Sequence, residues 1–215
     1  MSILRTNFLG DPNIGLYGFA TDKYCMLGIK HKPDKLKALD VKLNISTAMN
    51  SSLPSLFIAG NSFGIAVPAL MELYELRHLE KLFNVLVLDT DYTAIGNLVL
   101  LNDKGAVLSP LLRKHKGDIK NFFGIPCEVS KVAGTVVTGS AAITTNRGCL
   151  VHPKVKEDEK KLIEETLQVK VDIGTVNFGS PFVKSGIIAN SRGLIVSEAC
   201  SGPELGRITE TLGFV

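Results

Sequence analysis

At 215 residues, with 24 Lys and Arg against 21 Asp and Glu, the chain carries a formal net charge of +3, too little for charge alone to mark a nucleic-acid binder. Hydrophobic residues make up 45%, an ordinary globular value. No apolar run approaches the roughly 20 residues that span a bilayer, and residues 1–6 lack the basic-then-apolar layout of a secretion signal.

The four cysteines, Cys25, Cys127, Cys149 and Cys200, form no Cys-x-x-Cys pair. They are expected to be small buried hydrophobes in a reducing compartment, so the expected localisation is cytoplasmic. In chain order, Ile3-Leu4-Arg5-Thr6-Asn7-Phe8 is a strand with no helix before it. A degenerate hairpin follows from Leu16 to Leu27 around Thr21-Asp22-Lys23-Tyr24, then a helical turn or so from Asp34 to Leu39, then a strand from Val41 to Thr47. The same order returns with Leu56 to Val67 around Asn61-Ser62-Phe63-Gly64, a helix within 69–82 and a strand from Val85 to Asp89. It returns again with Leu98 to Leu108 around Asn102-Asp103-Lys104-Gly105, a helix through Ile119, Phe122 and Phe123 that Gly124 stops, and Cys127 to Val132.

The fourth copy has its turn at Thr145-Asn146-Arg147-Gly148. Its helix carries Leu162, Ile163, Thr166 and Leu167 inward with 156–161 as a solvated face, and its last strand runs from Val169 to Val176. The fifth turns at Asn190-Ser191-Arg192-Gly193, and Ser201-Gly202-Pro203-Glu204 opens its helix as a capping box.

From Tyr24 to Gly64, Gly105, Gly148 and Gly193 the steps are 40, 41, 43 and 45 residues. Such regularity signals stacked or closed repeats. The turn chemistry predicts hairpins, with Asn capping the turn and Gly supplying a positive-φ bulge. The last copy lacks its third strand, and the N-terminal strand lacks a partner. Together they predict an α/β fold of five β-β-α-β units closed by the N-terminal strand: one domain, residues 1–215, with helices outside and strands lining a pseudo-fivefold axis.

Six stretches carry a family resemblance: Gly10-Asp11-Pro12-Asn13-Ile14-Gly15, Ala59-Gly60-Asn61-Ser62, Thr93-Ala94-Ile95-Gly96-Asn97-Leu98, Asn102-Asp103-Lys104-Gly105, Asp172-Ile173-Gly174-Thr175-Val176-Asn177, and Gly179-Ser180-Pro181-Phe182-Val183-Lys184-Ser185-Gly186. In this order, over residues 3–214, the chain closely resembles the archaeal translation initiation factor 6 family. The resemblance implies the pentein-type five-bladed α/β propeller. It also implies a translation factor without catalytic activity or cofactor, one that sits on the intersubunit face of the large ribosomal subunit and sterically prevents association with the small subunit. Implied with it are contact with a ribosomal protein near the sarcin-ricin loop, a role in large-subunit biogenesis, and release by a GTPase and its partner. The phosphorylatable tail of eukaryotic members is not expected here, and the expected state is a monomer with no membrane attachment.

Five equivalent hairpins would present their turns at one end as a polar disc. The ribosome-binding candidates are Lys23, Tyr24, Asn61, Ser62, Phe63, Asn102, Asp103, Lys104, Asn146, Arg147, Asn190 and Arg192. Phe63 and Tyr24 are read as exposed aromatic tips, the anchors a protein-docking patch needs, and the cations as partners for nearby RNA phosphate. The bland reading of any one position is that Asn, Asp, Lys and Gly are good turn formers. Reversing charge at Lys104 and Arg192 is expected to weaken large-subunit binding while leaving the melting temperature nearly unchanged.

Two further basic clusters, Lys30, His31, Lys32, Lys35, Lys37 and Lys42, and Arg113-Lys114-His115-Lys116, read as solvated surface. The alternative function is a guanidino-group-modifying enzyme of the same fold, with Cys200 as nucleophile and His152 as base. Glu198-Ala199-Cys200-Ser201-Gly202 carries no signature of one. His31, His78, His115 and His152 fall in four different repeats, so no metal site is expected. A general RNA-binding module would need aromatics interleaved with cations, yet Trp is absent. Gly10 to Gly15 reads as a turn, not as a phosphate-cradling loop.

Overall fold

The computed structural model describes residues 2–30 and 36–215. It contains five three-stranded sheets, each an antiparallel hairpin whose second strand pairs in parallel with a third. Module 1 is β2 (Gly18–Ala20), β3 (Tyr24–Leu27) and β4 (Lys42–Ile45); module 2 is β5 (Ala59–Gly60), β6 (Gly64–Pro68) and β7 (Asn84–Leu88). Module 3 is β8 (Val99–Leu101), β9 (Ala106–Leu108) and β10 (Cys127–Val129). Module 4 is β11 (Ala142–Thr144), β12 (Gly148–Val151) and β13 (Lys170–Ile173).

In module 5, β14 (Ile187–Ala189) and β15 (Gly193–Ser197) take as third strand β1 (Ser2–Thr6), which pairs with β15 in parallel from Ser2 opposite Gly193 to Thr6 opposite Ser197. The chain's beginning therefore completes its last unit, and the edge that an open array would leave is removed. This is the pentein-type propeller that the repeats and the family resemblance predict.

The third strand can be parallel only because a crossover carries the chain back. Those crossovers are helices: α1 (Leu73–Glu80), α2 (Lys116–Phe123), α3 (Glu157–Leu167) and α4 (Gly202–Thr211). Gly124 ends α2 with a φ of 66°, as the sequence predicts, and Ser201 with Glu204 forms the capping box of α4. In module 1 the described part of the crossover is a 3-10 turn, Lys37–Leu39. The expected start of that helix at 34–35, and His31, Lys32 and Lys35 of the first basic cluster, lie outside the described residues.

Buried side chains form five clusters, each shared by two neighbouring modules. Tyr24 and Met26 of module 1 pack with Ile65, Val67 and Leu79 of module 2. Leu27 and Leu39 of module 1 pack with Ile188 and Ile195 of module 5, and three more clusters fill the remaining junctions. No module owns its core, so burial itself drives ring closure.

One expectation fails at α3. Glu159, placed on the solvated face, is buried. Its carboxylate accepts the backbone N–H groups of Ala133 (2.7 Å) and Gly134 (3.3 Å), in the tight turn that leads into its own module.

Candidate functional site

The hairpin turns gather at one end of the axis. In each, the first turn residue accepts on its side-chain oxygen from the backbone two and three positions on: Thr21 from Lys23 and Tyr24, Asn61 from Phe63 and Gly64, Asn102 from Lys104 and Gly105, Thr145 from Arg147 and Gly148, Asn190 from Arg192 and Gly193. The expected capping is present. The expected positive-φ bulge is not, for Gly64, Gly105, Gly148 and Gly193 all have ordinary backbone.

Glycine is required there for a different reason. A Cβ on Gly105, Gly148 or Gly193 would lie 1.9 Å, 1.9 Å or 1.7 Å from the carbonyl oxygen of Thr166, Thr211 or Ala38, at the end of the next module's crossover. Module 1 departs from the pattern. Its Tyr24 hydroxyl donates to the carbonyls of Asn61 (3.0 Å) and Gly64 (3.2 Å), and its ring packs 4.6 Å from that of Phe83. Tyr24 is thus not an exposed tip: it is 7% exposed and pins module 1 to module 2.

The asparagines are also internal. Asn102 donates from Nδ2 to the carbonyls of Thr145 (3.1 Å) and Leu167 (3.0 Å), and Asn190 to those of Thr21 (3.0 Å) and Leu39 (2.8 Å), while Asn61 reaches Asn102 at 3.2 Å. Asn61, Asn102 and Asn190 are buried and stitch each turn to the next. They offer no surface to a partner.

One position further on, the side chains join a second network about the axis. The Asp103 carboxylate accepts from the Ser62 N–H (2.7 Å) and hydroxyl (2.8 Å) and from Asn146 Nδ2 (2.6 Å). Asp22 accepts from the Ser191 N–H (2.8 Å) and hydroxyl (2.8 Å) and from Asn146 (2.8 Å). Burial alone would raise the Asp22 pKa; the hydrogen bonds from Ser191 and Asn146, with the Arg192 charge, outweigh it and hold the carboxyl below its ordinary value.

Among the cations, Lys104 Nζ donates to the carbonyls of Asn146 (3.0 Å) and Gln168 (3.2 Å), Arg147 to Ser191 (3.3 Å), and Arg192 to the Asp22 carbonyl. Each reaches forward to the next turn that carries it. The faces left to solvent belong to Lys23, Arg147 and Arg192, with Lys104 half-buried. Phe63 stands among them 50% exposed, its ring edge-on to Phe122 at 5.4 Å. Of the twelve candidates, Tyr24 and the three turn-capping asparagines are structural, Ser62, Asp103 and Asn146 form the half-buried network, and four exposed residues plus Lys104 make the presentable rim.

The opposite end carries a second set of tight turns with left-handed residues, Leu9-Gly10, Met49-Asn50, Ala133-Gly134 and Asn177-Phe178-Gly179. Leu9 is 82% and Phe178 84% exposed there, a pair that sequence reading missed because neither lies in a periodic segment. The described residues place Cys200 without a base. Its buried thiol contacts the Asn177 N–H at 3.3 Å, burial pushes its pKa up, and His152 instead accepts from the Lys154 N–H at 3.0 Å. No group of His, Cys, Asp and Glu among the described residues could hold a metal ion, and no helix there is long and apolar enough to cross a membrane.

Against this geometry, the model of the eIF-6 family matches residues 3–211. The chain belongs to the eIF-6 family. Similar proteins include translation initiation factor 6 of Haloquadratum walsbyi, 37% identical over 99% of this chain and 97% of the relative. Those of Thermococcus onnurineus (35%, all of both chains) and Methanocaldococcus jannaschii (34%, 99% of each) are similar too. Identity spread over the full length means that all five modules of this eIF-6 family member are covered.

Proposed function

We propose that this protein is a translation factor that binds the intersubunit face of the large ribosomal subunit and keeps the small subunit from joining. It acts as one domain, as a cytoplasmic monomer without cofactor or catalysis, and takes part in large-subunit biogenesis. Its contact is a ribosomal protein near the sarcin-ricin loop, with ribosomal RNA phosphate secondary, and a GTPase with its partner releases it. The observation that carries this reading is full-length similarity to proteins named translation initiation factor 6. A closed ring whose turn end carries cations and a half-exposed phenylalanine suits steric blocking, which needs bulk and a docking patch and no reacting group.

Lys23 and Phe63 are the residues with which to test the rim. The Lys23 side chain is exposed and makes no hydrogen bond or ion pair among the described residues, and the Phe63 ring is half in solvent. The double variant Lys23→Glu, Phe63→Ala should reduce co-sedimentation with large subunits by about tenfold or more, an anchor-sized loss of at least ~1.4 kcal/mol. Its melting temperature should fall by only a few degrees. Phe178→Ser supplies the opposite-face arm: a loss there with none at Lys23 and Phe63 would move the docking surface to the other end of the axis.

A further inference from the structure

Four modules enter their first hairpin strand through a single helical turn, Ile14–Leu16, Pro54–Phe57, Ile95–Leu98 or Val183–Gly186, and in module 4 the corresponding stretch is Thr138-Gly139-Ser140. The central residue is Gly15, Ser55, Gly96, Gly139 or Lys184 in turn. These five sit in a ring whose members abut backbone to backbone. A Cβ on Gly15 would lie 1.9 Å from the Lys184 carbonyl oxygen, one on Gly96 2.0 Å from that of Ser55, and one on Gly139 2.5 Å from that of Gly96. The packing that excludes side chains there leaves the carbonyl oxygens of Ser55 and Gly96 within reach of a single donor.

Lys184 is the one long side chain at this position. It crosses the axis to the two modules that do not neighbour its own, donating from Nζ to the carbonyls of Ser55 in module 2 (2.8 Å) and Gly96 in module 3 (2.6 Å). Among the described residues no carboxylate accompanies it: it is the only titratable one lining either the axial cavity of about 70 Å³, with Ala59, Leu100, Ile143 and Ile188, or the neighbouring bowl, with Leu16, Leu56 and Phe182. A cation held by carbonyl dipoles without a counter-charge is the arrangement of a monovalent-cation site. The neighbouring Ser55 hydroxyl has no hydrogen-bond partner among the described residues, and Lys184 Nζ is the donor to both carbonyls.

We propose that the carbonyl ring is a cation site that the chain fills from within. The Lys184 ammonium occupies it, ties module 5 to modules 2 and 3 and seals one end of the axial cavity; a chain without that side chain binds free ammonium or a small primary alkylammonium in its place. Burial pushes the Lys184 pKa down to about 7, while its two carbonyls and its remaining accessible surface work against that, so the group is charged at about pH 6. This inference stands apart from ribosome binding, since every readout is on the isolated protein.

At about pH 6, Lys184→Met, which keeps the length and removes the donors, should lower the melting temperature by roughly 4 °C or more. Lys184→Ala should regain stability saturably with ammonium or methylammonium chloride, and far less with tetramethylammonium chloride, which has no N–H and matches the ionic strength. A Met variant that melts at or above the native temperature, or an Ala variant raised equally by all three salts, would overturn the site. Should neither variant fold, nitrogen NMR on the native protein decides. A slowly exchanging lysine ammonium with contacts to Ser55 and Gly96 is expected, and a rapidly exchanging Lys184 amine at that pH contradicts the proposal.

Discussion

Gly193→Ala should be among the most damaging single substitutions in this chain, costing about 3 kcal/mol and, at this chain length, roughly 6–12 °C in melting temperature. The added methyl would lie 1.7 Å from the Ala38 carbonyl oxygen and 2.9 Å from the Leu39 Cα. Both are backbone atoms of the next module, so no rotamer change relieves the clash. The same carbonyl row receives Asn190 Nδ2 at Leu39, so pushing it outward also breaks the stitch between modules 5 and 1. Gly148→Ala, against the Thr211 carbonyl at 1.9 Å, should behave alike. Gly206→Ala is the control: nothing lies within 4 Å of its Cβ position inside α4, so the gain in helix propensity should stabilise by about 0.5–1 kcal/mol. Thermal melts of the three variants check the account, and a neutral Gly193→Ala would contradict close approach as the reason for glycine.

Glu204→Ala should cost about 3 kcal/mol, because several donors then lose one buried acceptor. The carboxylate accepts from the N–H groups of Ser201 (2.7 Å), Gly179 (2.8 Å) and Phe178 (3.1 Å) and from the hydroxyls of Thr175 (2.8 Å) and Ser201 (2.9 Å). It thus caps its own helix and holds a turn with three consecutive left-handed residues, Asn177, Phe178 and Gly179. Burial raises its pKa, but the hydrogen bonds from Ser201, Thr175 and Gly179 outweigh it, and the folded pKa lies below the ordinary value. A depressed carboxylate pKa adds stability that is present above the unfolded value of about 4.3 and is lost as pH falls through the folded one. Glu204→Gln should therefore flatten the acid limb of the stability curve. Glu75 plays the same part for the Met49-Asn50 turn, accepting from Thr47 (2.8 Å) and Asn50 (3.2 Å), and Glu159 for Ala133-Gly134.

The fold was legible because its signals are local and repeated: alternating apolar runs, a capping box at Ser201, a helix stop at Gly124, and an orphan strand at the start of the count with a missing one at its end. What the turns do for one another was not legible. Asn102 reads as a turn former within its own hairpin, but its amide contacts Thr145 and Leu167, 43 and 65 residues away. Likewise the turn glycines answer to the next crossover and not to their own backbone, and Tyr24 is buried because module 2 offers two carbonyls to its hydroxyl.

The expectation that charge reversal at Lys104 and Arg192 would spare the melting temperature needs revising, since both donate to neighbouring backbone. Lys23 and Phe63 are the cleaner probes. One signal is present in the sequence: superposing the repeats on their turn-capping residues aligns Gly15, Ser55, Gly96 and Gly139 with Lys184, about six positions upstream, and a lysine in a column of small residues asks for an internal partner.

The proposal that this ring blocks subunit joining by bulk is tested most directly by sedimenting purified large and small ribosomal subunits through sucrose gradients with and without the protein. The account predicts that the protein travels with the large subunit alone and that the joined peak shrinks as protein is added, up to one copy per large subunit. An undiminished joined peak, with the protein at the top of the gradient or on the small subunit, would contradict it.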